Sequence, residues 1–256
     1  MTATWMVLGA GSILPRPGYG CAGYALRTSP ASDVTLFDCG PGTVRALGSA
    51  GIALAEVERV VVSHFHADHC LDLFALAFAR HNPAFQPAPP IEIVGPRGLA
   101  RLLERGADAL GASVRDPKAT IIEVADARAF SLERPGYRLR CLPTGHTAEA
   151  LAWRCELERG GSLAYSGDSG EVADLAEIAS GVDLFVCECS FPDEQGMPQH
   201  LTPSSAGRVA ARAACRRLLL THFYPSLEPT AARAGAARHF SGPIELARDG
   251  SVHAIP

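Results

Sequence analysis

The sequence has almost no lysine and no paired cysteine motif. Lys118 is the only lysine, so nearly all of the 23 basic residues are arginines. The eight cysteines are scattered and no C-x-x-C pair occurs, which argues against a zinc knuckle and a thioredoxin-type motif. We therefore expect free, mostly buried thiols in a reducing cytoplasm.

Long hydrophobic runs and an excess of positive charge are also missing. No apolar run approaches the roughly 18 residues of a membrane-spanning helix, and Met1–Ala10 lacks the pattern of a signal peptide. The net charge of −4 argues against a nucleic-acid binder that relies on a broad basic surface. We expect neither a membrane nor a stable nucleic-acid partner.

What the chain does contain is a dense group of metal-ligand side chains. His64-Phe65-His66-Ala67-Asp68-His69 has the pattern H-x-H-x-D-H, and imidazole and carboxylate groups are ligands that zinc accepts. The preceding Val60–Ser63 is mostly β-branched and predicts a buried strand. The ligands would then follow the carboxyl end of a strand, where open α/β folds bind ligands. The alternative is a surface loop that is rich in histidine by chance.

Strand and helix patterns alternate along the chain with no linker between them, which predicts one α/β domain over residues 1–256. The predicted strands are Trp5–Gly9, Tyr24–Arg27, Val34–Phe37, Val60–Ser63, Ile91–Val94, Thr120–Val124, Arg138–Leu142, Ala150–Leu157, Leu163–Tyr165, Leu184–Cys187 and Leu218–Leu220. The predicted helices are Pro41–Ala50, Cys70–Arg80, Arg97–Leu110, Val172–Ala179 and one that begins with Thr202 as N-cap and Pro203 as first residue.

Three further candidate ligands each follow a predicted strand. They are His146, Asp168 and His222. Each one alone is more typical of a hydrogen-bonded turn residue. With the H-x-H-x-D-H segment they supply seven nitrogen and oxygen ligands, enough for two metal ions that share one carboxylate.

These motifs, with Thr35–Gly40 and Ser166–Ser169, make the chain similar to the metallo-β-lactamase-fold superfamily, and specifically to its ribonuclease Z-like phosphodiesterase branch. The resemblance implies a four-layer αβ/βα sandwich of two similar halves, with two divalent metal ions at the open edge between the sheets. Zinc is the expected metal, and manganese or iron would also suit the ligands. The implied ligands of one ion are His64, His66 and His146, those of the other are Asp68, His69 and His222, and Asp168 bridges both.

The resemblance also suggests roles for three other residues. Asp38 and Glu188 stand where such families place partners that accept the free N–H of ligand histidines. Asp38 could instead be a simple turn carboxylate. His200 resembles the histidine of an H-x-T element that lies beside the scissile phosphate, although it could be a helix-start histidine without a task.

Two such ions imply a hydrolase in which a metal-bridging hydroxide attacks the substrate, with Asp68 and Asp168 orienting it and His200 acting at the phosphate. The same apparatus would serve a β-lactamase or a lactonase, and a non-enzymatic metal-binding module is a third alternative. His200 has no counterpart expected in a thioesterase, and His66 stands where oxygen-reducing diiron relatives carry glutamate. We therefore predict a phosphodiesterase.

Two departures from the family disfavour transfer RNA as the substrate. Only about twenty residues separate His146 from Asp168, which leaves no room there for a long RNA-binding arm, and Pro15–Cys21 lacks the family's Arg-Asn pair. A small phosphodiester such as a cyclic nucleotide is the predicted substrate. Relatives commonly pair, so we also expect a homodimer, with the helix that carries Leu73, Phe74, Leu76 and Phe78 only partly buried inside its own chain.

Overall fold

Two seven-stranded β-sheets form the centre of the computed structural model, which describes residues 2–29 and 31–256. The strands are β1 (Ala3–Gly9), β2 (Gly23–Arg27), β3 (Val34–Cys39), β4 (Val57–Val61), β5 (Ile91–Pro96), β6 (Ala119–Val124), β7 (Ser131–Arg134), β8 (Tyr137–Pro143), β9 (Leu151–Leu157), β10 (Ser162–Tyr165), β11 (Leu184–Glu188), β12 (Leu218–Thr221), β13 (Ile244–Leu246) and β14 (Val252–Ile255). The first sheet has the order β14-β1-β2-β3-β4-β5-β6 and the second the order β13-β12-β11-β10-β9-β8-β7. In each sheet, parallel strands adjoin antiparallel ones.

Helices cover the outer face of each sheet. They are α1 (Thr43–Ser49), α2 (Ala67–Cys70), α3 (Asp72–His81), α4 (Leu99–Leu110), α5 (Ala173–Ile178), α6 (Pro203–Ala213) and α7 (Pro229–Ala236). One hydrophobic core lies between the two sheets. A second core lies between the first sheet and its helices, and a third lies between the second sheet and its helices. Three cores separate four layers, so the predicted α/β sandwich is confirmed.

Large aromatic side chains fill the core between the sheets near the site. The Trp5 ring stacks on Tyr24 with ring centroids 5.3 Å apart, and Tyr24 contacts Tyr165 of the other sheet at 5.0 Å. Burying each of these side chains contributes on the order of 2 kcal/mol to folding. The packing also fixes Tyr165, whose hydroxyl donates a hydrogen bond to Asp38 at the edge of the first sheet.

The structure differs from the sequence prediction at one helix that bears on the site. The helix expected at Cys70–Arg80 begins three residues earlier, as the single turn α2, and continues through Leu71 into α3. Asp68 and His69 therefore lie on a helix, while His64 and His66 lie on the loop before it. The predicted start of α6 is confirmed, with Thr202 as N-cap and Pro203 in the first turn. Within the residues described, no helix is long and apolar enough to cross a membrane.

Candidate metal centre

All of the predicted site residues gather at one edge of the two sheets. Strands β3 and β4 are parallel, as are β10, β11 and β12, so their carboxyl ends point to the same edge. Asp38 is the second-last residue of β3 and Glu188 the last residue of β11. The other site residues follow strand ends or lie on α2, except His200, which lies in the loop before α6. The edge thus brings together side chains from positions 38 to 222 of the chain.

One cluster of ligand atoms contains His64, His66, His146 and one oxygen of Asp168. Their nearest nitrogen and oxygen atoms all lie within 4.8 Å of one another. His146 Nε2 is 3.0 Å from His66 Nδ1, and Asp168 Oδ2 is 3.7 Å from His146 Nε2 and 3.9 Å from His64 Nε2. These are the residues expected around one ion.

A second cluster contains Asp68, His69 and His222, also within 4.8 Å. Nε2 of His222 is 3.2 Å from Nε2 of His69 and 3.4 Å from Oδ2 of Asp68. Here the other oxygen of Asp168 approaches: its Oδ1 lies 3.2 Å from His69 Nε2 and 3.5 Å from His222 Nε2. Each oxygen of Asp168 therefore faces a different cluster.

Two carboxylates determine which ring nitrogen of four histidines carries the proton. Asp38 accepts hydrogen bonds from His69 Nδ1 at 2.7 Å and from Ser63 Oγ at 2.8 Å. A carboxylate only accepts hydrogen bonds, so the hydroxyl proton of Ser63 must point to Asp38. Ser63 Oγ must then accept a hydrogen bond from His64 Nδ1, 3.0 Å away. His64 and His69 then both turn an unprotonated Nε2 toward the ligand clusters.

The second half repeats this arrangement with Glu188 and Ser190. Ser190 Oγ donates to Glu188 and accepts from Nδ1 of the predicted ligand His222 at 3.1 Å. Glu188 itself accepts from His200 Nδ1 at 3.1 Å. The sequence prediction that Glu188 accepts directly from a ligand histidine is therefore wrong, because a serine lies between them. The sequence analysis did not identify Ser190. Its only signal in the sequence is its place, as a polar residue two positions after a buried strand.

The donor set fits metal ions. His64 Nε2 and Asp168 Oδ1 are buried and have no hydrogen-bond partner among the residues described, a costly state that a cation would relieve. Burial lowers the pKa of His64 well below its usual range, which favours the neutral form that binds metals. Burial also lowers the pKa of His69, but the negative charges of Asp168 and Asp38 outweigh it and raise the pKa, so these two carboxylates make the surroundings of His69 attractive to a cation.

The backbone is strained at two of these residues. Only three non-glycine residues in the described part of the chain have positive φ, and they include Asp38 at 56° and His222 at 59°. Such a conformation costs about 1 to 3 kcal/mol and persists where surrounding contacts hold it. At both positions those contacts are the hydrogen bonds that aim the side chains at the site.

His200 lies beside the first cluster. Its ring centroid is 4.6 Å from that of His146, and its Nδ1 is 3.8 Å from Asp168 Oδ2. Burial lowers the pKa of His200, but the hydrogen bond and charge of Glu188 outweigh it, so the pKa is raised. Asp168, Glu188 and His200 also lie close enough together to hold an ion, which gives His200 two possible roles, acid or ligand.

A loop between β1 and β2 reaches over the second cluster. The backbone N–H of Ile13 donates to Asp68 Oδ2 at 3.1 Å. Asp249 holds both ends of the loop, because its carboxylate accepts from Ala10 N at 2.9 Å and from Gly20 N at 2.7 Å. The side chains of Ile13 and Leu14 at the loop tip are about half exposed.

Comparison with known proteins places this architecture in one family. The Beta-lactamase superfamily domain matches residues 34–223. The protein Rv1339 of Mycobacterium tuberculosis is 34% identical over 246 residues, covering 93% of this chain and 87% of its own length. Ribonuclease Z of Mycolicibacterium paratuberculosis is 30% identical over 270 residues, covering 95% of each chain.

Solved structures agree on the fold. The metallo-β-lactamase fold protein YhfI of Bacillus subtilis superposes with a TM-score of 0.86 at 23% identity, covering 99% of this chain and 100% of its own. The short form of human tRNase Z gives 0.79 at 23% identity and covers 99% of both chains. The predicted resemblance is confirmed, and the chain belongs to the β-lactamase superfamily, with ribonuclease Z among its relatives.

Proposed function

We propose that the protein is a dinuclear metal-dependent phosphodiesterase that acts on small phosphodiesters such as cyclic nucleotides. Its family and relatives support a metal-dependent hydrolase. The observation that carries the dinuclear proposal is Asp168, whose two oxygens face two separate ligand clusters. Two divalent ions, with zinc proposed and manganese or iron also suitable, would supply an activated water and neutralise negative charge.

The chain's own residues would orient the reactants. His64 and His66 with His146 would hold one ion, Asp68 and His69 with His222 the other, and Asp168 both. The carboxylates of Asp68 and Asp168 can also accept a proton from the attacking water. Glu188 accepts a hydrogen bond from Nδ1 of His200. The Nε2 atom of His200 is then left to protonate or to position the substrate.

The Glu188–His200 pair favours a phosphodiester over a lactam or lactone. An alkoxide leaving group needs a proton, and a histidine whose pKa is raised by a carboxylate is suited to supply it. A small substrate is favoured because β9, a Gly160-Gly161 turn and β10 occupy most of the chain between His146 and Asp168, so no long arm extends there.

Purified protein should be assayed on cyclic nucleotides, bis-aryl phosphates, lactones and β-lactams. We expect hydrolysis of the phosphodiesters, loss of activity with a chelator, and recovery when a divalent metal is added. An Asp168→Ala variant purified in parallel controls for contaminating phosphodiesterases. Turnover of lactones or β-lactams without turnover of any phosphodiester would contradict the proposal.

The proposed homodimer would use a smaller surface than the sequence indicated. Leu73, Phe74 and Leu76 of α3 are buried inside the chain, whereas Leu71 and Phe78 are 46% and 57% exposed and lie seven residues apart on one face. We expect a dimer by light scattering at micromolar concentration and a shift to monomer in Phe78→Ser. Leu110→Ser, at an exposed leucine of α4, should leave the dimer intact. A monomeric wild type would contradict the proposal.

We propose a cytoplasmic location because the cysteines are free thiols. All eight are free thiols, and seven of them are buried. Disulfides form and persist in oxidising compartments, so a chain with eight free thiols suits a reducing one.

A further inference from the structure

Tyr224 occupies a position between the ligand cluster and His200 that the mechanism above does not use. Its ring centroid is 5.6 Å from that of His222 and 6.3 Å from that of His200. It meets both imidazoles edge-on, with interplanar angles of 69° and 71°. The ring is partly buried. An aromatic residue thus stands at the junction of the second cluster and the proposed acid.

The hydroxyl of Tyr224 differs from those of the buried tyrosines. Tyr24, Tyr137 and Tyr165 each place the hydroxyl on a protein partner. Tyr224 has no side-chain hydrogen bond within residues 2–29 and 31–256. A tyrosine hydroxyl carries its proton at neutral pH. It is therefore a neutral donor that no described side chain occupies, so a ligand can accept its hydrogen bond.

Phe191 holds the Tyr224 ring in place. The two rings pack with centroids 4.5 Å apart and an interplanar angle of 31°. Phe191 also meets His200 edge-on at 5.5 Å. The backbone also ties Tyr224 to the residue before Phe191, because Tyr224 N donates to the carbonyl of Ser190 at 3.4 Å. The Tyr224 ring is therefore fixed relative to both histidines.

We infer that Tyr224 is a further catalytic residue, whose hydroxyl donates a hydrogen bond to a nonbridging oxygen of the substrate phosphate. This inference rests on the proposed phosphodiesterase function. Hydrolysis of a phosphodiester places additional negative charge around phosphorus, and a fixed donor at that position stabilises it. Phe191 acts as a positioning residue that keeps the hydroxyl aimed.

Tyr224→Phe removes only the hydroxyl and is the first test. We expect kcat/KM on bis-aryl phosphate to fall about 10- to 100-fold, the range for one hydrogen bond to a charged group. Metal content and thermal stability should match the wild type. Tyr19→Phe is the matched control, since Tyr19 is also partly buried but packs on Phe223, and its kcat/KM should be unchanged.

Binding of inorganic phosphate to the metal-loaded protein separates this inference from the proposed function. Calorimetry should show at least tenfold weaker phosphate binding in Tyr224→Phe than in the wild type or Tyr19→Phe. Equal affinity would overturn the inference even if phosphodiesters are hydrolysed. If the wild type hydrolyses no phosphodiester, the proposed function fails, while weaker phosphate binding would still support the Tyr224 contact.

A double-mutant cycle tests the role of Phe191. Phe191→Leu should lower kcat/KM when Tyr224 is present and have a much smaller effect in the Tyr224→Phe background, because the residue acts through that hydroxyl. An equal loss in both backgrounds would show that Phe191 does not position Tyr224.

Discussion

Asp168→Ala should abolish hydrolysis and lower the metal content of the protein from two ions per chain to one or none. The substitution removes both carboxylate oxygens, and each faces a separate cluster of ligands. We expect activity to fall by at least about 10³-fold, since the charge and the bridging ligand are lost together. Elemental analysis by mass spectrometry and the phosphodiester assay measure the two effects.

Asp183→Ala is the matched control for this experiment. Asp183 is also buried and also accepts a backbone hydrogen bond, from Ser162 N at 2.8 Å, but it lies just before β11, at the opposite end of that strand from the site. This variant should keep both metal ions and full activity per folded molecule. Retention of two ions and of full activity in Asp168→Ala would refute the bridging role.

His200→Ala is expected to keep both metal ions while kcat falls by ~10²–10⁴-fold, the range for a positioned acid or charge stabiliser. The other seven ligands complete two clusters without it. The defect should be largest for substrates with alkoxide-like leaving groups and smaller for nitrophenolate, which departs without a proton. Steady-state kinetics on a series of leaving groups, with metal analysis of the same samples, gives both results.

The chain offers a matched control for His200 as well. His253 is a mostly buried histidine on the edge strand β14 whose Nδ1 pairs with Glu245 at 2.6 Å, and it belongs to neither ligand cluster, so His253→Ala should leave kcat unchanged. Loss of a metal ion in His200→Ala would make His200 a ligand. If the defect does not depend on the leaving-group pKa, His200 positions the phosphate and is not the acid.

The grouping of the proposed metal ligands could be predicted because their signals are local. The H-x-H-x-D-H segment is contiguous, and His146, Asp168 and His222 each follow an apolar run that reads as a strand. Parallel strands then bring these ends to one edge whatever their distance in sequence. The strands that were missed lie at sheet edges or ends: β7, β13 and β14 have three or four residues and are only partly buried, so their hydrophobic patterns are weak.

The two serines that contact the proposed ligand histidines could not be predicted, because their role depends on contacts between distant segments. Ser63 and Ser190 are single serines at strand ends, and nothing in the sequence distinguishes them from turn residues. Their role arises only when Asp38 and Glu188 take their hydroxyl protons and so fix the histidine tautomers. Likewise, α7 was missed because its alanines and glycine carry little periodic signal, although it packs firmly on the second sheet.

Anomalous X-ray scattering from crystals grown with zinc tests the central claim most directly. Two peaks are expected, one on each side of Asp168, with each carboxylate oxygen about 2.0–2.2 Å from a different ion. One peak should adjoin His64, His66 and His146, and the other Asp68, His69 and His222. A single peak bound by one oxygen of Asp168, or a peak between Glu188 and His200, would contradict the dinuclear account.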